Sequence, residues 1–543
     1  MDNKIRGNIA RYWLYMQFGG QYKWKTFSHN GVMFPPEYEP SGTPIIYKNE
    51  EIRLDPENEE IAFLYARYIK SEYVTNSVFN KNFWKDWKAV LGRDHKIQSL
   101  DGCDFTLMYN YLQDMRDRYN NKELKENLKK ERLTEEEKYK TAMVDGQVQP
   151  VGNFMIEPPG IFMGRGKNPN LGKIKKRIYP EDITINIGRD EVAPTPLSGH
   201  KWKNIVHDRD SVWIASWRDT IMGKTKYVWL GSSSSFKTDS DRSKFDLAKK
   251  LKRKIKSIRE VNDKNLHSDL DSMRQLATVL YFIDKLALRI GNEKGEDEAD
   301  TVGITSLRVE HIMLNGNSEI TLDFLGKDSI RYYNKVRVDM IVYSNLAEFT
   351  KNKSGYDNIF DMVSSADVNR YLQEFMKDLT AKVFRTYNAS YMFQKELKKI
   401  TNKYEGKDIK KSVILDEFSK ANAKIAGIMN HRKGVGKGHK EQINKISESI
   451  AKIRAQLKKA KELKKDKKKI EELEEKLEAK KSKKDIRLML KDLSLETSKA
   501  NYIDPRITVA FLKKHDITVD KVFSSALRNK FKWAFDADVD YKF

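Results

Sequence analysis

The sequence contains almost no cysteine. Cys103 is the only one among 543 residues, so an intramolecular disulfide is impossible and a zinc site built from several cysteines is excluded. The apolar stretch at residues 9–18 is short and interrupted by Arg11, which does not fit a signal peptide. No run reaches the roughly 20 apolar residues that a membrane-spanning helix needs. These features predict a protein of a reducing compartment without a membrane partner.

Motifs for nucleotides and metal ions are also missing. No glycine stands five residues before a Gly-Lys pair, as a Walker A loop requires, and the stretch 434–438 is better interpreted as a flexible hinge. The one His-x-Glu sequence, at residues 439–441, has no Cys-x-x-Cys partner. We therefore expect no ATP, no required divalent metal and no other cofactor.

Acidic residues are too few to balance the basic ones. The chain has 102 Lys and Arg against 78 Asp and Glu, a formal net charge of +24. Such an excess predicts attraction to nucleic acid or another anionic surface, through counterion release and electrostatic steering. Solvated helix faces are the alternative explanation and account for part of the charge. The length predicts three or four domains.

The first part of the chain mixes strand-like and helical patterns. Residues 183–187 alternate apolar and polar side chains, as a half-buried strand does, and residues 211–216 are similar. Residues 114–140 are highly charged and contain neither glycine nor proline, which predicts helix with solvated faces. The four serines at 232–235 mark a predicted domain boundary.

Residues 239–431 are predicted to be mainly helical. An apolar stripe with spacings of 4, 4 and 3 supports this, formed by Leu247, Leu251, Ile255 and Ile258. A hairpin is predicted to interrupt the helices, with strands at 320–325 and 330–336 on either side of the turn 326–329. Lys327 would then project from the tip of the hairpin.

Residues 440–490 carry a coiled-coil pattern. Isoleucine and leucine recur with spacings of 3 and 4 among residues that are mostly charged. The basic cluster 464–469 is predicted to contain the turn of an antiparallel helical hairpin with arms on the order of 30 Å. Most of its lysines are expected to be solvated rather than to make specific contacts.

Eight segments, in order along the chain, point to one family. They are VMFPPEYEP from Val32, NFMIEPPGIFMGRG from Asn153, GHKWKNIVHD from Gly199, KLALRIGNEK around Arg289, DFLGKDSIRYYNKV around Lys327, LTAKVFRTYNAS around Arg385, MNHRK around His431 and TSKANYIDPR around Tyr502. With these segments the chain resembles the eukaryotic-type DNA topoisomerases IB, from about Tyr22 to Phe543.

The resemblance implies a catalytic set of five residues. Tyr502 would be the nucleophile, and its phenol, with an ordinary pKa near 10, needs help to lose its proton. Arg289 and Arg385 would hold the charge that develops on the nonbridging phosphate oxygens. His431 would donate a hydrogen bond to such an oxygen, and Lys327 would protonate the leaving 5′ oxygen. The residue types fit these roles, but only the resemblance assigns them.

The resemblance also implies a multidomain α+β fold. It would combine a mixed cap region, a mainly helical catalytic core like that of tyrosine recombinases, an antiparallel coiled-coil linker and a small helical C-terminal domain, arranged as a clamp that encircles DNA. The predicted boundaries are 1–21 for a short N-terminal extension, 22–234 for the cap and DNA-binding core region, 235–434 for the catalytic core subdomain, 435–492 for the linker and 493–543 for the C-terminal domain with the catalytic tyrosine.

Further contacts follow from the same resemblance. The predicted DNA-binding residues are Arg165, Lys294, Asp328, Thr497, Lys499 and Asn501. The predicted site for inhibitors of the camptothecin type consists of Phe162, Gly164, Arg165, Asp328 and Asn501. Met163 departs from the family pattern, in which a basic residue is expected, and this weakens the inhibitor prediction.

The residues alone leave two other classes of protein open. Tyrosine site-specific recombinases share the chemistry, but they commonly carry a histidine three residues before their second arginine, where this chain has Lys382. The long region before residue 234 and the coiled coil also favour a topoisomerase. A DNA-binding scaffold without activity would explain the charge but not the catalytic set.

The expected function is relaxation of positive and negative supercoils through a 3′-phosphotyrosine intermediate. The expected partner is double-stranded DNA, preferentially supercoiled, bound by a monomer. The resemblance implies the nucleus, but only about 20 residues precede the similar region, so the basic stretch 173–177 is the candidate import signal. A viral particle or a cytoplasmic viral factory is the alternative location.

Overall fold

The computed structural model describes residues 22–291, 298–436, 438–463 and 466–543. They divide into two compact units. The first contains the described residues up to Lys237 and the short segment that ends at Ala299, and the second contains the other described residues. Both units mix helices with sheets, as the predicted α+β class requires.

The first unit is built on a seven-stranded sheet. The strands of the whole unit, of which seven form this sheet, are β1 Phe27–His29, β2 Ile45–Tyr47, β3 Glu50–Ile52, β4 Cys103–Asp104, β5 Thr141–Val144, β6 Gln147–Gly152, β7 Gly160–Ile161, β8 Ile174–Lys175, β9 Thr184–Asn186, β10 Asn204–Val206, β11 Trp213–Arg218 and β12 Thr225–Leu230. The large sheet has the order β1-β5-β6-β12-β11-β9-β10, and only β9 and β10 pair in parallel. The strands predicted at 183–187 and 211–216 are confirmed as β9 and β11, and Ile183, Ile185 and Ile214 are buried as the alternation predicts.

Helices of the first unit cover a second, smaller core. They are α1 Pro56–Ala66, α2 Ser77–Leu91, α3 Thr106–Arg118 and α4 Lys122–Glu137. Phe79, Phe83 and Trp87 recur every four residues on α2 and are fully buried, because side chains at this spacing share one helix face. The helical prediction for 114–140 is confirmed by α3 and α4, which are separated where Asn121 caps α4.

The second unit is mainly helical, as predicted. Its helices are α5 Ser235–Leu266, which begins at the end of the first unit, α6 Asp271–Leu286, α7 Met340–Thr350, α8 Ser365–Phe375, α9 Ala381–Tyr404, α10 Lys411–Ile428, α11 His439–Glu462, α12 Lys467–Met489, α13 Leu495–Asn501, α14 Pro505–Lys514 and α15 Ser525–Lys530. Its one sheet within the described residues has the order β13-β14-β15, formed by Ile312–Leu314, Glu319–Gly326 and Ile330–Arg337.

Two predicted hairpins are confirmed in this unit. The strands β14 and β15 pair antiparallel from Glu319 opposite Arg337 to Gly326 opposite Ile330, which places Lys327 at the turn. The coiled-coil prediction corresponds to α11 and α12, whose apolar seam includes the buried Ile450 and Leu477. Part of the predicted turn, residues 464–465, lies outside the described residues.

The C-terminal helices join the core of the second unit. Ile503, Ile507 and Leu512 are buried in the same apolar cluster as residues of α6 and α9. In a second apolar cluster, Phe245 of α5 packs with Val509 of α14 and its neighbours. The segment that carries Tyr502 is therefore held by two apolar clusters. The arrangement of the predicted domains, including the clamp, stays a prediction.

No helix in the described parts of the chain has the length and apolar character to cross a membrane.

Candidate active site

Tyr502 lies between two helices and its backbone is anchored at several points. It follows α13, where its N–H donates to the carbonyl of Ser498 at 3.0 Å. The chain then turns into α14, which begins with Pro505 and is capped by the Asp504 side chain. The hydroxyl of Ser390 on α9 donates to the Tyr502 carbonyl at 3.0 Å and accepts from the Asp504 N–H at 3.0 Å. This buried serine ties the tyrosine segment to α9.

Two arginines from different helices reach the Tyr502 phenol. Arg289 Nη1 and Arg385 Nη1 both lie 3.4 Å from Tyr502 Oη. Arg385 is near the start of α9, and its guanidinium also lies over the Tyr502 ring, 4.8 Å from the centroid. Arg289 comes just after α6, where Ala287 adopts a left-handed conformation with φ 52° and turns the chain. Two cations therefore converge on one phenol.

The two arginine-bearing segments are joined behind the site. Asn388 of α9 donates from Nδ2 to the carbonyl of Asp284 on α6 at 2.7 Å. The carboxylate of Asp284 accepts two hydrogen bonds from Arg259 of α5, at 2.7 and 2.9 Å. These contacts fix the end of α6 from which Arg289 projects. The distance between the two guanidinium groups is thus set by the scaffold.

The charges change the acidity of the phenol. Burial raises the pKa of Tyr502, but the positive charges of Arg385, Arg289 and Lys382 outweigh it, and the net shift is downward. Burial is also the main reason why the pKa of Arg385 falls to about 10, with a smaller contribution from Arg289. No carboxylate among the described residues lies within salt-bridge distance of Arg385, so its charge is held without a counter-ion. The arrangement favours an anion entering the site.

His431 also lies beside the Tyr502 ring. Its ring centroid is 5.1 Å from that of Tyr502, and its Nδ1 lies 2.7 Å from the Ser498 hydroxyl. The histidine follows α10 and is fixed by its N–H, which donates to Ala426, and by its carbonyl, which accepts from Ser494. Burial and the charges of Arg385 and Arg289 lower the pKa of His431 to about 3. The imidazole is therefore neutral at physiological pH.

Lys327 completes the set from the tip of the β14–β15 hairpin. Asp328 and Ser329 have φ values of 66° and 55°, which turn the chain sharply and leave Lys327 exposed. A cavity of about 100 Å³ is lined by Arg289, Lys327, Arg385 and His431 together. With the Tyr502 oxygen 3.4 Å from both arginines, the second unit brings all five predicted catalytic residues to one place.

The other predicted residues of the second unit differ in their surroundings. Thr497 and Asp328 line the same cavity, and Asn501 is exposed at the end of α13. Lys499 is buried, and its ammonium donates to the carbonyl of Val522 at 2.8 Å and pairs with Glu496 at 2.9 Å. A DNA contact by Lys499 is the prediction that this geometry supports least, because the ammonium would have to give up both partners.

The remaining predicted residues lie in the first unit or outside the described residues. Phe162, Gly164 and Arg165 belong to the loop between β7 and β8, in which Arg165 is exposed. Gly164 has a φ of 39°, and a Cβ there would lie 2.7 Å from Cβ of Asn168, so the turn requires glycine. Lys294 lies outside the described residues. The inhibitor site draws on both units and stays a prediction.

Two buried serines at the site escaped sequence reasoning. Ser498 and Ser390 have fully buried side chains that contact His431 and the Tyr502 backbone. Ser498 stands between the two residues predicted to contact DNA, Thr497 and Lys499, and one helical turn before Tyr502. That i, i+4 spacing was the available signal. Nothing in the local sequence marks Ser390.

The described residues contain no group of three or more His, Cys, Asp or Glu side chains arranged to hold a metal ion. Asp284, behind the site, is engaged with Arg259 at 2.7 Å.

Comparison with known proteins decides the family. Three family models match consecutive parts of the chain: the DNA binding fragment of eukaryotic DNA topoisomerase I at residues 22–230, the catalytic core of eukaryotic DNA topoisomerase I at 233–464, and the C-terminal topoisomerase domain at 467–543. The chain belongs to the eukaryotic DNA topoisomerase I family. The predicted resemblance is confirmed. The five predicted domain boundaries stay a prediction.

Relatives agree with this family. DNA topoisomerase 1 beta of Arabidopsis thaliana is 42% identical over 96% of this chain and 60% of its own length. DNA topoisomerase 1 of Caenorhabditis elegans is 41% identical over 96% of this chain and 68% of its own length. The human enzyme of that name is 40% identical over 96% and 72%. The chain thus spans about 60% of the plant relative, and the relatives cited give the viral alternative no support.

Proposed function

We propose that this chain is a type IB DNA topoisomerase, an isomerase that relaxes positive and negative supercoils. The observation that carries the proposal is the position of Arg289 and Arg385, each 3.4 Å from the phenol oxygen of Tyr502. A structural tyrosine does not need two buried or half-buried cations at its hydroxyl, and among the described residues neither arginine has a carboxylate partner. A nucleophile that attacks a phosphodiester does, because both the phenol and the phosphate become more negative.

Cleavage proceeds by transfer of the DNA strand to the enzyme. The phenol oxygen of Tyr502 attacks phosphorus, and the bond from phosphorus to the 5′ oxygen breaks, which leaves a 3′-phosphotyrosine. Arg289, Arg385 and the Nε2–H of His431 stabilise the negative charge on the nonbridging oxygens. The phenol, whose pKa is lowered by the arginines, releases its proton to solvent, and Lys327 delivers a proton to the 5′ oxygen and regains one from solvent.

Religation is the reverse reaction. The phosphotyrosine bond retains the energy of the broken phosphodiester, so the free 5′ hydroxyl can attack it and restore the strand. The broken duplex rotates between the two steps and loses supercoils. Neither ATP nor a required divalent metal enters this scheme, because side chains of the second unit stabilise the negative charge and supply the proton of the leaving group.

Binding to DNA rests on charge and on the family's DNA binding fragment. The net charge of +24 supports non-specific attraction to the phosphate backbone. We propose a monomer that encircles duplex DNA, prefers supercoiled DNA and acts in the nucleus. The loop with Phe162, Gly164 and Arg165, together with Asp328 and Asn501, would contact DNA and camptothecin-type inhibitors near the cleaved bond.

Plasmid relaxation in EDTA without ATP tests the proposal. Positively and negatively supercoiled plasmids should both relax, and a denaturing gel should show protein attached to the 3′ end of the nicked strand. Tyr502→Phe removes one hydroxyl, whose hydrogen-bond partners among the described residues are Arg289 and Arg385 at 3.4 Å, so the variant should bind DNA nearly normally but form no adduct. A strict need for ATP, relaxation of one sign only, or adducts formed by Tyr502→Phe would refute the proposal.

A further inference from the structure

Ser498 makes a single polar side-chain contact in the buried interior of the site. Its side chain is fully buried, and its Oγ lies 2.7 Å from Nδ1 of His431. Within the described residues, the structure gives this Oγ no other hydrogen-bond partner. The hydroxyl of Ser390, by comparison, contacts both a carbonyl and an N–H. Ser498 therefore has one proton to donate and one acceptor within reach.

This contact decides which nitrogen of His431 carries the proton. A buried hydroxyl proton without an acceptor is unfavourable, so the arrangement in which Ser498 donates to Nδ1 is favoured. Nδ1 is then the acceptor of the neutral ring, and the ring proton is on Nε2. Nε2 is itself buried and has no hydrogen-bond partner among the described residues, and His431 lines the cavity with Arg289 and Lys327. The free N–H is thus available to a ligand in that cavity.

We infer that Ser498 is a positioning residue that holds His431 as the neutral Nε2–H tautomer, ready to donate to a nonbridging phosphate oxygen. This inference rests on the proposed function. It explains how a histidine can act as a hydrogen-bond donor near two arginines, where a third positive charge would be costly. The neutral tautomer supplies the donor without that charge.

The substitution His431→Gln provides the sharpest test, because it keeps a hydrogen-bond donor at this position but no longer needs Ser498 to set a tautomer. In His431→Gln, the amide N–H₂ lies near the position of Nε2 and its orientation does not depend on a tautomer. Ser498→Ala should slow single-turnover cleavage about tenfold in the otherwise unchanged protein, the scale of one lost buried hydrogen bond. In the His431→Gln background the same change should have less than a twofold effect.

Ser390→Ala is the matched control. It also removes a fully buried hydroxyl from the Tyr502 segment, but one that contacts the Tyr502 backbone and not His431. Its effect on cleavage should be the same in both backgrounds. If Ser498→Ala also slows both backgrounds equally, Ser498 acts only by packing and the inference is wrong.

A second measurement needs no cleavage and covers the case in which Ser498→Ala folds poorly. The protein with ¹⁵N-labelled histidine has nine imidazoles, and the signals missing from His431→Gln identify His431. The chemical shifts should show an unprotonated Nδ1 and a protonated Nε2 in the DNA-free protein. A protonated Nδ1, or an imidazolium at neutral pH, would overturn the inference. Absence of cleavage by the unchanged protein would instead reject the proposed function.

Discussion

Arg385 should lower the free energy of unfolding of the protein, although it contributes to strand cleavage. Its side chain is 4% exposed, and within the described residues it has no carboxylate partner. Burial lowers its pKa to about 10, well below the ordinary value of an arginine, so the guanidinium stays charged in the folded protein at every pH below about 10 but at a cost in stability. At about 1.4 kcal/mol for each pKa unit, the cost near neutral pH is about 3 kcal/mol.

Replacement by an uncharged side chain of similar length should remove this cost. Arg385→Met loses the hydrogen bond to the Met429 carbonyl and the contacts with the Tyr502 hydroxyl and ring, together worth about 2 kcal/mol, so the net gain in unfolding free energy should be about 1 kcal/mol. Strand cleavage should fall about 10²–10³-fold, the effect of removing one preorganised donor from a developing oxyanion. Because Arg385 lowers the pKa of Tyr502, the remaining activity should rise toward higher pH than in the unchanged protein.

Calorimetry and single-turnover cleavage of a short duplex measure the two effects on the same samples. Arg506→Met is the matched control, since Arg506 pairs with Asp504 and Asp246 at 2.8 Å and its pKa is raised. That variant should unfold at a lower temperature. If Arg385→Met lowers the unfolding temperature as much as Arg506→Met does, or cleaves at more than a tenth of the normal rate, the electrostatic reasoning fails.

Two further predictions distinguish the roles of Lys327, the proposed general acid, and of the coiled coil from the role of the two arginines. Lys327→Ala should slow cleavage of normal DNA, but a substrate whose 5′ leaving group is sulfur should restore the rate, because that group needs no proton; equal rescue of Arg289→Ala would refute the assignment. Replacing the hairpin 439–489 by a short Gly/Ser loop should preserve single-turnover cleavage and lower the salt concentration at which relaxation ceases to be processive, because the change removes positive charge from outside the cavity. Loss of cleavage in a folded hairpin variant would contradict this.

Local patterns predicted the elements that carry the site but not the site itself. The alternation at 320–325 and 330–336 is enough to predict the hairpin that presents Lys327, because a strand with one buried face repeats every two residues. The coiled coil α11–α12 follows from its apolar spacing in the same way. Both elements could be predicted because each depends on residues that are close together in the sequence.

The meeting of Arg289 with Tyr502 could not be predicted in that way. They are 213 residues apart, and their contact depends on the turn at Ala287 and on the bond from Asn388 to the end of α6. Only the family resemblance grouped the five residues, and it says nothing of the side chains that hold them. Ser390 and Ser498 became visible once the fold placed a buried hydroxyl beside Tyr502 and another beside His431.

Mapping the covalent bond tests the central claim most directly. The protein is incubated with a short duplex that traps cleavage, the adduct is digested with nuclease and trypsin, and the modified peptide is sequenced by mass spectrometry. The account predicts modification of the tryptic peptide 500–506 at Tyr502, through a phosphate from the 3′ end of the cleaved strand. Attachment through any other residue, or to the 5′ end, would contradict it.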